Sequence, residues 1–218
     1  MTPLERNKFI LRKYIPDQSV DIISSWINLY NFKLKVKRAR TTKEGDYTSP
    51  RGEKNHVITI NRDLNKYAFL ITLIHEIAHL VTWEKRKGKV LPHGKEWKLE
   101  YVQLLNYFLK ANRELPVEKK IFPNEISIGL YNHTLQPSAS SCSDLNLSRL
   151  LKKFDAPSET ILLEKISIGT TFKIAQAKTK HATEVFIKGE KRRTRYKCLH
   201  AQTKREYLIH ALCKVVIV

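Results

Sequence analysis

The stretch Ile71–Trp83, ITLIHEIAHLVTW, is mostly apolar, yet His75, Glu76 and His79 stand in its middle. Leu70, Ile71, Leu73, Ile74, Ile77, Ala78, Leu80 and Val81 surround that triplet. A helix so flanked is buried nearly all round. Burying three ionisable groups there costs several kcal/mol unless something pairs with or ligates them. On a helix, positions i and i+4 lie on one face, one turn apart. The imidazoles of His75 and His79 therefore converge, which suits zinc. Glu76 sits about 100° around the helix, where it reaches a water on the metal rather than the metal itself. Two ligands and a general base are the logic of H-E-x-x-H.

A catalytic zinc takes a third protein ligand and keeps a fourth place for water. His93, in PHGKEW, lies fourteen positions after His79. The intervening loop contains Gly88 and Pro92, so it can reverse and return His93 to the first helix. Glu96 and Glu100 are the other candidates for that place.

Working outward, Pro3–Tyr14 reads as a helix and PDQSVDIISSWINLYN as a second, capped by Asp17 or Ser19. FKLKVKRAR and HVITINRD alternate like strands, with Ile58 and Ile60 on one face of the latter. The turn-rich stretch between them reads as a hairpin or longer loop. Helices over about 66–87 and 94–111 follow, the second burying Trp97, Tyr101, Leu104, Leu105 and Phe108. After residue 112 the serine-rich YNHTLQPSASSCSDLN reads as linker, and LSRLLKKFD as a short helix. Short alternating runs from Ile166 to Val218 predict a small β module with twelve Lys and Arg against three Glu.

The whole chain carries formal net charge +19, which predicts attraction to polyanions, most simply nucleic acid. Two readings of KGEKRRTRYK stay open: phosphate contact through Lys191, Arg192, Arg193 and Arg195, or solvated charge on a hairpin. Three widely spaced cysteines, Cys142, Cys198 and Cys213, imply no disulfide framework. The charged N-terminal segment does not read as a signal peptide, and no apolar run is long enough to span a bilayer. The expectation is an intracellular, cytoplasmic protein.

HEIAHLVTW followed by PHGKEW resembles the SprT-like zinc metallopeptidases, the family that includes Spartan. The resemblance covers about residues 4–111 and rests on the H-G-x-x-W signature as well as H-E-x-x-H. It implies an α+β fold with a compact zincin-like core. It implies one catalytic Zn2+ on His75, His79 and His93, with Glu76 as catalytic base. It also implies DNA association, since Spartan-like members degrade proteins trapped on DNA. Members often end in a zinc ribbon. Here Cys198 matches one ribbon ligand, but Ala201 stands where its partner belongs, and neither His181 nor His200 has convincing spacing. The expected organisation is therefore a metallopeptidase domain over 1–112, a linker with a short helix over 113–165, and a degenerate ribbon-like β module over 166–218.

The expected function is hydrolysis of peptide bonds in DNA-associated proteins. HVITINRD, if it forms a sheet edge beside the cleft, would pair with an extended substrate. Two alternatives remain: a nucleic-acid-binding protein with little or no peptidase activity, and a metal-dependent hydrolase of a non-protein substrate.

Overall fold

The structure is a computed structural model, and it describes residues 2–40, 43–50, 55–137, 144–175 and 183–218. The chain divides into two compact units, Met1–Asp155 and Ala156–Val218.

The first unit is α+β. Helix α1 (Pro3–Leu11) starts at a capping box between Thr2 and Glu5. Helix α2 (Val20–Leu29) buries Val20, Ile23 and Trp26, the stripe expected from the sequence. Neither Asp17 nor Ser19 caps it through a side chain; Ser19 instead donates to the Pro16 carbonyl. Strands β1 (Phe32–Lys37), β2 (Gly45–Thr48) and β3 (His56–Asn61) form a sheet in the order β1-β3-β2. β1 runs parallel to β3 and β2 antiparallel to it. Ile58 and Ile60 face the core, while Val57 and Thr59 face away.

HVITINRD is therefore the central strand, with both edges taken, and it cannot pair with an added strand. Among the described residues, β2 is an edge strand of this sheet and lies within the stretch read as a turn.

Helix α3 (Lys66–Arg86) packs against this sheet, and α4 (Lys95–Glu114) packs against α3. Asn65 caps α3 by accepting from the Tyr67 and Ala68 amides, as a side-chain N-cap should.

The boundary at residue 112 requires correction. Helices α5 (Asn124–Leu135) and α6 (Leu145–Lys152) belong to the first unit. Ile121, Phe122, Ile126, Leu130, Leu147 and Leu151 are buried in its single core. Asn112 joins α4 to this part: its side-chain amide donates to the Ser127 hydroxyl at 2.8 Å, and its side-chain carbonyl accepts from the Phe122 amide at 2.9 Å. Residues 138–143 of the expected linker, Cys142 included, lie outside the described residues.

The second unit is an antiparallel sheet of β4 (Ile161–Leu162), β5 (Thr171–Ile174), β6 (Val185–Arg192), β7 (Arg195–His200), β8 (Glu206–His210) and β9 (Lys214–Ile217). Its order is β4-β9-β5-β6-β7-β8, a meander whose last strand returns to its first long one. That is wider than the paired hairpins of a ribbon. The unit also begins ten residues before the expected start at 166, because Leu163 is part of its core with Phe172, Phe186, Cys198 and Val215. The β6–β7 hairpin has a bulge between Lys188 and Lys191. A Cβ on Gly189 would collide with the Lys197 carbonyl oxygen, so only glycine fits there.

Candidate metal centre and cleft

Helix α3 carries His75, Glu76 and His79 in its middle. His93 comes from the loop before α4, which reverses as its Gly and Pro suggested. Lys87 ends α3 in the left-handed conformation. His93 itself has φ 59°, a conformation that costs a non-glycine residue roughly 1–2 kcal/mol. Gly94 follows because a Cβ there would lie 2.9 Å from the Leu91 carbonyl oxygen. The H-G pair thus has a steric basis: a strained histidine turned inward and a glycine that lets the loop close behind it.

The three Nε2 atoms form a near-equilateral triangle: His75–His79 3.2 Å, His79–His93 3.0 Å and His93–His75 3.2 Å. Two nitrogens each about 2.0–2.1 Å from a tetrahedral zinc would stand about 3.3 Å apart. The triangle fits that demand. Burial pushes His75 down to about 2, aided by repulsion from His79, His93 and His133. His79 falls to about 4, again chiefly by burial, and His93 is also lowered by burial. Neutral imidazoles with lone pairs turned to one point are a cation's donor set. Among the described residues, these three are the group of His, Cys, Asp and Glu whose ligand atoms come together in this way. Glu100 is instead held by Lys85 at 2.7 and 2.8 Å, and Glu96 is not in the group.

Trp97 supports the triangle from below. It is fully buried, with its ring 4.6, 5.1 and 4.7 Å from those of His75, His79 and His93. Tyr101 stacks on Trp97 at 4.9 Å. The tryptophan of H-G-x-x-W is therefore a wall against the ligands, one turn after His93.

Glu76 is 6% exposed. Its carboxyl is pushed up to about 8, first by burial and then by Asp46; Arg40, Lys43 and the Tyr47 amide pull the other way. Strand β2 lies against it. A Cβ on Gly45 would come 2.5 Å from Glu76 Oε1 and 2.7 Å from Thr72 Cγ2. Only glycine lets the edge strand approach the carboxyl this closely. The Asn61 main-chain amide donates to the Glu44 carbonyl, which turns the main chain of Gly45 to the open edge by strand alternation.

The resulting cleft has a volume of about 640 Å³. It is lined by Gly45, Asp46, Tyr47, Trp83, Leu91 and Pro92, together with Glu76 and all three histidines. Gly45 and Tyr47 escaped the sequence reading. Their strand is four residues long and sits among turn formers, so only Tyr47 and Thr48 hinted at it.

Tyr47 closes a polar chain. Its hydroxyl lies 2.9 Å from His56 Nδ1, and His56 Nε2 lies 2.9 Å from Glu84 Oε1. Lys87 donates to Glu84 Oε2 at 2.9 Å. Lys87 and His56 hold the Glu84 carboxyl low, whereas burial and Glu84 push the Tyr47 phenol up.

The basic candidates divide. Lys191, Arg192, Arg193 and Arg195 are all exposed around the β6–β7 turn. Arg192, Arg193, Arg195 and Lys197 line a shallow groove with Tyr207. Arg40, at the end of the strand-like stretch FKLKVKRAR, is by contrast engaged internally, donating to Asn61 Oδ1 at 2.8 Å and to Thr59 Oγ1 at 3.1 Å. Cys198 is buried and its thiol is pushed up by burial. His200 accepts from the Thr203 amide at 3.0 Å, so it braces a turn. His181 lies outside the described residues. Among the described residues, no helix is long and apolar enough to cross a membrane.

The SprT-like family matches residues 21–120, which include all four residues of the centre. Protein SprT of Escherichia fergusonii is 37% identical over 84 residues, 34% of this chain and 50% of that protein. Protein SprT of Erwinia tasmaniensis is 54% identical over 35 residues, 16% of this chain and 20% of that protein. The chain thus spans about half the length of the first relative and a fifth of the second. No solved structure matches it. Residues 21–120 thus form a segment matched by the SprT-like family, and that is the family this chain is similar to.

Proposed function

We propose that this chain is a zinc metalloendopeptidase with a zincin-like core, acting on proteins associated with DNA. The observation that carries the reading is the convergence of three neutral imidazoles beside the buried Glu76 carboxyl. Zinc, when bound there, supplies a Lewis acid that polarises a peptide carbonyl and activates water.

The chain's own residues do the rest. His75, His79 and His93 offer lone pairs that burial keeps free of protons. Glu76 takes the proton of the attacking water and returns it to the leaving amine. With a cation held by the histidines, this carboxyl stays ionised and able to accept that proton. An extended peptide aligns along the open edge of β2, exchanging main-chain hydrogen bonds at Gly45. Trp97 closes the floor and keeps solvent from the ligands. Lys191, Arg192, Arg193 and Arg195 contact phosphates, and so hold the enzyme near DNA-bound substrates.

Glu76→Gln tests this reading. It is expected to retain metal and lower hydrolysis of a DNA-bound protein by about 10²–10⁴-fold, the scale of a lost general base. Loss of metal along with activity would make Glu76 a structural residue. Equal cleavage by both forms would remove the peptidase reading and leave nucleic-acid binding.

A further inference from the structure

We infer that Tyr47 is a second catalytic residue of the cleft, donating its phenolic hydrogen to the substrate carbonyl oxygen as that oxygen becomes negative. The inference rests on the peptidase reading above.

The geometry comes from the pairing of β2. Gly45 lies opposite Ile60 and Tyr47 opposite Ile58, so both face the core side of the sheet, toward α3. One is set against Glu76, as the Cβ distances from Gly45 require. The other is set against His79: the two rings are nearly parallel, 5° apart in plane, with centroids 6.5 Å apart. The inward residues of the edge strand therefore bracket the ground between the general base and a histidine of the centre. Gly45 contributes no side chain. Tyr47 is the polar side chain that β2 turns to this side, and it lines the cleft.

Its hydroxyl is oriented rather than loose. Glu84, a carboxylate under the pull of Lys87 and His56, accepts the hydrogen of His56 Nε2. His56 Nδ1 is then an acceptor, and the phenol donates to it across 2.9 Å. That bond is a resting position. A rotation about the phenol C–O bond moves the same hydrogen to a peptide oxygen lying along β2, with no proton changing owner. A donor aimed where charge develops is worth about 10²–10³-fold in kcat. The gain is confined to the charged oxygen, so it belongs to the transition state and not to substrate binding.

The test is steady-state cleavage by Tyr47→Phe in the full chain loaded with zinc, with Glu76→Gln and wild type alongside. Metal content is measured for each. The expected result for Tyr47→Phe is a kcat about 10²-fold lower with KM and metal content unchanged. His56→Gln, which removes the group that orients the phenol but leaves the donor itself, is expected to lower kcat less than Tyr47→Phe does, with KM and metal content unchanged. A wild-type kcat in Tyr47→Phe overturns the inference. So does a loss that appears in KM or in metal content, or an equal loss in His56→Gln, since each marks a binding or structural role. If wild type cleaves no faster than Glu76→Gln, the peptidase reading itself has failed.

Discussion

Glu76 concentrates the conflict between folding and chemistry in this protein. In the metal-free chain its pKa is pushed up to about 8 from 4.5, chiefly by burial. The folded state therefore holds a proton that the unfolded state has released. Stability contributed by the protonated carboxyl is fully present below pH 4.5 and is lost as pH rises toward 8. Glu76→Gln removes the titration. In chelated protein at pH 8, this variant is expected to be more stable than wild type by at least about 1 kcal/mol, or about 2–4 °C in Tm. The gap should close near pH 4.5. It should also shrink when zinc is added, because a cation beside the carboxyl favours its charged form. Equal melting temperatures at both pH values would contradict burial as the cause of the raised pKa. The three histidines add the opposite slope: their lowered pKa values make acid destabilising below about 6.5, equally in both forms.

At the scale of elements, α3, α4 and the His93 loop were legible because their signals were strong. Two histidines four apart in an apolar run, and a histidine-glycine pair after a Gly- and Pro-containing loop, leave little freedom. β2 was not legible. Four residues beginning with glycine carry no alternation, and their place is decided by contact of Gly45 with Glu76 and Thr72, which is long-range information. α5 was missed for another reason. Its Ser, Gly, Asn and Thr residues lower local helix propensity, yet Ile126 and Leu130 are fully buried. Packing overrode propensity, and the chain after residue 112 became part of the first core instead of a linker. That correction is testable through Asn112, which is 5% exposed. Asn112→Ala leaves the buried Phe122 amide without its acceptor. It should destabilise the unit that carries the metal centre by about 1–3 kcal/mol, read as a lower denaturation midpoint with unchanged slope. An unchanged midpoint would return residues 113–155 to the status of a linker.

At the scale of the whole molecule, charge and chemistry separate. The net charge of +19 says nothing about the fold, but it predicts attraction to polyanions. The exposed arginines around the β6–β7 turn are the clearest carriers of such contact, whereas Arg40 is committed to Asn61 and Thr59. Nucleic-acid affinity should fall steeply with salt. Replacing Arg192, Arg193 and Arg195 by Gln should flatten the log–log slope by about 2–3, near one for each phosphate no longer neutralised. A slope that ignores these substitutions would assign the hairpin to solvated charge. The composition of the second unit made its basic surface legible, but not its sheet. Short alternating runs fix strands without fixing their order, and the return of β9 to β5 is set by a core gathered from distant residues.

Zinc per chain, measured by elemental analysis on the purified protein and on His79→Ala, tests the central claim most directly. The three-histidine centre predicts about one zinc per chain, falling to near zero in the variant. A protein that takes up no zinc, even after refolding with zinc present, would contradict it.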